Sequence, residues 1–145
     1  MSVIFATNIW EENKAISKSD LINPKFECDI FVNDIKYSEN MKINKENKIK
    51  YIFKKDFYDL DKLFENCSLL TSIDFSNFNT NNVKYMSYMF KKCSSLTSIN
   101  LSDFNTNNVE YLKEMFSQCS SLTSINLSNF NTNNVNNEIY FQRVF

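Results

Sequence analysis

The chain has no glycine and no histidine, and its one proline is Pro24. Without glycine, no phosphate-cradling loop of the dinucleotide or P-loop kind can be built. Without histidine, the commonest general base and metal ligand is missing. Serines and aspartates are present, but no base accompanies a nucleophile and no glycine turn shapes an oxyanion site. These absences argue against an enzyme and suggest neither a cofactor nor a metal. No sign of charge dominates either, since 16 Lys and Arg face 17 Asp and Glu for a net charge of −1. That balance lacks the basic footprint of a nucleic-acid binder. The opening MSVIF has no positive start and too short an apolar run for a signal-peptide core. No run reaches the length of a membrane helix. Neither an export signal nor membrane insertion is therefore expected, and the location stays unassigned.

What the chain does have is a repeat. ENCSLLTSIDFSNFNTNNV, at 65–83, returns almost unchanged at 91–109 and 117–135, a step of 26 residues marked by Cys67, Cys93 and Cys119. Such a period signals a stacked array of like units. Nine apolar slots hang on each copy. In the second they are Val83, Met86, Met89, Phe90, Cys93, Leu96, Ile99, Leu101 and Phe104. The first runs from Phe57 to Phe78 and the third from Val109 to Phe130, with no polar residue in any slot. The steps of three and four from Val83 to Cys93 predict one face of a helix, with Lys84, Ser87, Tyr88, Lys91 and Lys92 outward. The Thr-Asn-Asn run before it can supply a cap. After the cysteine the period shortens, and Ile99 and Leu101 alternate as in a strand. The expected fold is α/β: a short leucine-rich-repeat solenoid over 57–135, with one strand and one helix per repeat and a parallel sheet. Strands are expected near 72–75, 98–101 and 124–127. Helices are expected near 56–66, 82–92 and 108–118.

The segment MFKKCSSLTSINLSDFNTNNV, residues 89–109, resembles the repeats of BspA-type leucine-rich-repeat surface proteins. The resemblance covers roughly residues 57–135. It implies a recognition role, with adhesion at a cell surface, and names no ligand.

Residues 1–56 contain no repeat and read as an N-terminal cap. Phe26, Cys28, Ile30 and Val32 alternate with Glu27, Asp29, Phe31 and Asn33, and Asn33-Asp34 is a plausible tight turn. Ile35 and Tyr37, then Ile49, Tyr51 and Phe53, continue the alternation, so an antiparallel meander is expected over 26–54. A helix over 8–22 would bury Ile9, Trp10 and Ile16. Residues 136–145 lose the pattern and read as an irregular tail. An apolar end there would invite self-association.

Three cysteines at one register could approach a disulfide geometry in a stack. Their slot is apolar, however, and a buried free thiol serves there as a small hydrophobe. Asn79, Asn105 and Asn131 read as a ladder bonding backbone at the turns. The candidate ligand face is the outward side of the strands: Ser72, Asp74, Ser98, Asn100, Ser124 and Asn126. These hydroxyls and amides could meet a protein or a glycan. No aromatic anchor is expected among them, which makes Tyr85, Tyr88 and Tyr111 on the other side the aromatic alternatives. Two readings follow: a non-catalytic recognition module, or a purely structural piece, either a spacer or a fragment of a longer repeat array.

Overall fold

A computed structural model gives the fold and describes residues 2–9, 15, 17–39, 41–42 and 46–136. The strands are β1 (Ser2–Ile9), β2 (Asp29–Val32), β3 (Ile35–Lys36), β4 (Glu46–Phe53), β5 (Leu70–Asn77) and β6 (Ser98–Asn100). They form one mixed sheet in the order β3-β2-β4-β1-β5-β6. All pairings are antiparallel except β5 with β6. The strand β1 joins the two halves of the molecule, pairing with β4 on one side and with β5, the strand of the first copy, on the other. Its inward residues Ile4 and Ala6 lie opposite Tyr51 and Ile49, and all four are buried.

The α/β solenoid, with a helix in each copy and a parallel sheet, does not form. The helices expected at 56–66, 82–92 and 108–118 are chains of turns, and the described residues hold a single one-turn helix, α1 (Lys18–Leu21). The reason lies in where the backbone N–H groups go. In an α-helix each would bond four residues back. Here Leu60, Lys62, Phe64 and Asn66 donate to the carbonyls of Tyr85, Ser87, Met89 and Lys91, at 2.8–3.0 Å. Met86, Tyr88, Phe90 and Lys92 donate in the same way to Tyr111, Lys113, Met115 and Ser117 in the third copy, at 2.8–2.9 Å. Each bond runs sideways, 25 residues ahead, to the neighbouring copy. Alternate residues turn the chain to keep this going, and several do so at positive φ: Lys62 and Asn66, then Tyr88 and Lys92, then Glu114 and Gln118. No α-helix accommodates such residues.

Burial nonetheless follows the repeat. Every apolar slot from Phe57 to Phe130 is buried or half-buried. A chain of turns returns its side chains to one face at steps of three and four, as a helix does, so the apolar pattern is common to both. Like residues stack on like across copies: Phe64 on Phe90 at 5.8 Å and Phe90 on Phe116 at 5.3 Å, with rings 8° and 5° from parallel. Ser87 departs from the outward set, being buried with its N–H on the Asp61 carboxylate and its hydroxyl accepting from the Lys113 N–H.

Other expectations need correction. The strands expected near 72–75 and 98–101 are β5 and β6, but residues 124–127 form no strand. The antiparallel strands of 26–54 are not in meander order, because β4 lies beside β2 and β3 occupies the far edge. The β2–β3 hairpin turns at Asn33 and Asp34, with φ of 48° and 65°, the left-handed pair that a two-residue hairpin requires. Residues 8 and 9 belong to β1, and the helix expected over 8–22 shrinks to α1, where the Asp20 carboxylate accepts the Ser17 N–H at 2.9 Å. Trp10, Ile16 and residues 137–145 of the tail lie outside the described residues.

Two substitutions separate the turn ladder from a helix. Lys92→Gly and Gln118→Gly should each raise stability by roughly 0.5–1 kcal/mol in urea melts, by relieving the left-handed backbone. In a helix the same changes would cost about 1 kcal/mol. Phe90→Ala should lose roughly 3–5 kcal/mol, because it opens a cavity in the middle of the ring stack.

Candidate recognition face

The outward side of β5 and β6 carries four of the six proposed face residues in register: Ser72 opposite Ser98 and Asp74 opposite Asn100. Ser98 and Asn100 are exposed, while Ser72 and Asp74 are half-buried because β1 flanks them. The Thr7 hydroxyl lies 2.7 Å from that of Ser72 and 2.8 Å from that of Thr71. Ser124 and Asn126 are exposed in the third copy but lie off the sheet. The side-chain oxygens are also committed locally. Those of Asp74, Asn100 and Asn126 accept the N–H two residues on, from Ser76, Ser102 and Ser128, at 3.0–3.1 Å. The Asn100 amide donates to Asp74 at 2.9 Å. Much of this polar strip therefore builds turns and has little hydrogen-bonding capacity left for a ligand.

The aromatic anchors come from the cap. Because β1 joins cap and repeats, one row crosses the whole outer face: Lys36, Phe31, Lys50, Phe5, Asp74 and Asn100, one from each strand. Phe5 is 45% exposed on this face and Phe31 half-buried, with the Lys50 ammonium 5.2 Å from the Phe31 ring centre. Val3 and Ile52, opposite each other and half-buried, extend the apolar area. Asp29 holds both Lys36 and Lys54 at 2.9 Å, and their hydrogen bonds keep its carboxyl below the usual range. The alternation of 26–33 puts Phe31 on the polar side of its strand, which is a signal for this patch. Phe5 gave none, because β1 was not recognised.

The tyrosines are engaged with one another and with lysines. Tyr85 stacks on Tyr111 at 4.9 Å and meets Tyr58, itself 51% exposed, at 5.4 Å. The Lys62, Lys91 and Lys113 ammoniums lie 4.7–5.9 Å from the Tyr88 ring. Behind the Asn run, the oxygens of Asn79, Asn105 and Asn131 each accept the N–H two residues on at 3.0 Å. The amides of Asn105 and Asn131 reach back to Asn81 and Asn107 at 2.8 and 2.9 Å. The cysteines are free thiols, and Cys93 and Cys119 donate to the carbonyls of Phe64 and Phe90 at 3.1 Å. Among the described residues no group of three or more His, Cys, Asp or Glu is placed to hold a metal ion.

Residues 33–144 match the family described as "Mycoplasma protein of unknown function, DUF285". The chain belongs to this family. No curated protein and no solved structure matches it. The family's description carries no activity, so the face has to be read from its own chemistry. No described helix is long and apolar enough to cross a membrane.

Burial pushes the thiols up, to about 12 for Cys67, to about 11 for Cys119 and well above the ordinary value for Cys93. These folded values exceed the ordinary 9.0, so the thiols' contribution is intact below that pH. It is lost as pH rises towards 11 and 12, where the unfolded chain is ionised and the folded one resists. The urea midpoint should accordingly fall as pH rises above about 9. Iodoacetamide at about pH 8.5 should leave these three cysteines unmodified until urea unfolds the chain. Ready alkylation of the folded protein would place them at the surface.

Proposed function

We propose that the chain is a non-catalytic recognition module that docks a partner on the outer face of its sheet. The observation that carries this reading is the exposed Phe5, set among Val3, Phe31 and Ile52 on a face continuous with the repeat strands. An exposed ring in an apolar patch with charged neighbours is the usual makings of a contact site. The resemblance of 89–109 to BspA-type repeats supports a role in adhesion, with a protein or a glycan as partner. Ser98 and Asn100 lie beyond β5 on the repeat side, with Ser124 and Asn126 exposed in the next copy, and the groups that the turns leave free there would add a few weak hydrogen bonds, accumulated over the copies.

A structural spacer is the second reading, favoured by the turn-forming commitments of Asp74, Asn100 and Asn126. Attachment assays separate the two. The wild-type chain is tested on cells and on a glycan array, beside Phe5→Ser and a variant with Ser98, Asn100, Ser124 and Asn126 all changed to Lys. Recognition through this face predicts that Phe5→Ser weakens attachment about tenfold, as loss of a central aromatic anchor does. The fourfold Lys variant should weaken it less. A wild-type chain that attaches to nothing in either screen would leave the spacer.

A further inference from the structure

The outer face of β4 has a charge pattern that the recognition reading leaves unexplained. Along this strand Lys48, Lys50 and Ile52 point outward in succession, while Ile49, Tyr51 and Phe53 are buried. Lys36 and Lys54 are both ion-paired with Asp29, whose single charge offsets one of the two. Lys48 and Lys50 make no ion pair among the described residues, and Lys48 is exposed. Lys50 is held over the Phe31 ring, a position that keeps the ammonium at the surface beside apolar groups. The carboxylate within the row itself, Asp74, lies beyond Phe5 on β5 and has one oxygen bonded to both Ser76 and Asn100, and Asp29, diagonal to Lys50 on β2, is taken by Lys36 and Lys54. Lys50 therefore stands between the Phe31 and Phe5 rings, and Lys48, two residues before it on the same face, lies between Thr7 and Asn33; neither is ion-paired among the described residues.

We propose that this face receives an extended acidic segment of a partner protein, laid along β4. The inference rests on the recognition reading and adds the chemistry of the partner. Alternate residues of a strand lie about 6.8 Å apart on one face. Lys48 and Lys50 thus match carboxylates two residues apart on an extended chain, and Ile52 matches an apolar side chain two residues further. Both edges of β4 are already paired, with β1 and β2. The contact is therefore made by side chains, and charge steers it. Phe5 and Phe31 wall the path on either side of Lys50 and shield its ion pair from water, while Lys48 meets its carboxylate at the exposed end of the path. A sugar would satisfy the cations only if anionic, and would leave the aliphatic patch without an apolar counterpart. Two lysines are also too few to hold a nucleic acid through its phosphates.

The probe is a fluorescent synthetic peptide with glutamates two residues apart, followed by a leucine two residues further on. Its control carries glutamines in their place. Anisotropy titrations should show saturable binding that weakens with added salt, and about tenfold weaker binding of the glutamine peptide. The K48E/K50E variant should lose about tenfold with an unchanged circular dichroism spectrum, while K92E, a charge reversal at an exposed lysine of the turn ladder, binds the peptide as the wild type does. Equal binding by the glutamine peptide, or undiminished binding by K48E/K50E, would overturn the proposal. If the peptide fails to bind but the wild-type chain attaches to cells or to the glycan array, the acidic-segment assignment falls and recognition stands. If neither occurs, both fall.

Discussion

The backbone hydrogen bond that runs sideways, from one copy to the carbonyl 25 residues ahead, is the interaction on which the rest of the structure depends. It takes donors that a helix would have used within itself and spends them on the neighbouring copy. Each such bond is worth only about 1 kcal/mol net, but leaving a buried N–H without a partner costs more. The copies are therefore tied to one register. That register stacks Phe64, Phe90 and Phe116 as parallel rings and places each lower cysteine under its neighbour's carbonyl. The left-handed residues are the cost of this arrangement, and in a chain without glycine Lys, Asn, Tyr, Glu and Gln carry it.

An array held sideways has a first copy with an exposed flank, and the cap closes it. β1 pairs with β5 along the sheet, and Asn23 donates its N–H and its amide to the carbonyls of Leu63 and Lys62 on the turn side. The buried Tyr51 hydroxyl bonds the Leu21 carbonyl at 2.8 Å and its ring meets Phe64, locking α1 to the first copy. One consequence is functional. A sheet shared by cap and repeats gives the outer face both the small polar groups of the repeats and the rings and lysines of the cap.

The slots that face the core were legible in the sequence, because burial obeys the 26-residue period whatever the backbone does. The cysteine slot and the Asn33-Asp34 turn were legible for equally local reasons. Helix against turn ladder was not. Val83, Met86, Met89, Phe90 and Cys93 satisfy both, and the deciding bonds join residues too far apart in sequence for any local pattern to show. β1 was missed because Val3 and Phe5 on its outer side are as apolar as Ile4 and Ala6 on its inner side, which erases the alternation of a half-buried strand. The candidate face was accordingly read in part. Ser72, Asp74, Ser98 and Asn100 share it, but its aromatic members belong to strands whose place in the sheet no repeat announces.

The lateral bond itself can be observed. In protein labelled with 15N and 13C, scalar coupling through a hydrogen bond links a donor nitrogen to the carbonyl carbon it bonds. The Phe90 nitrogen, 2.9 Å from the Met115 oxygen, should show a cross-peak to the Met115 carbonyl, and Met86 should couple likewise to Tyr111. A cross-peak from Phe90 to the Met86 carbonyl, four residues back, would instead place these residues in a helix and contradict the account.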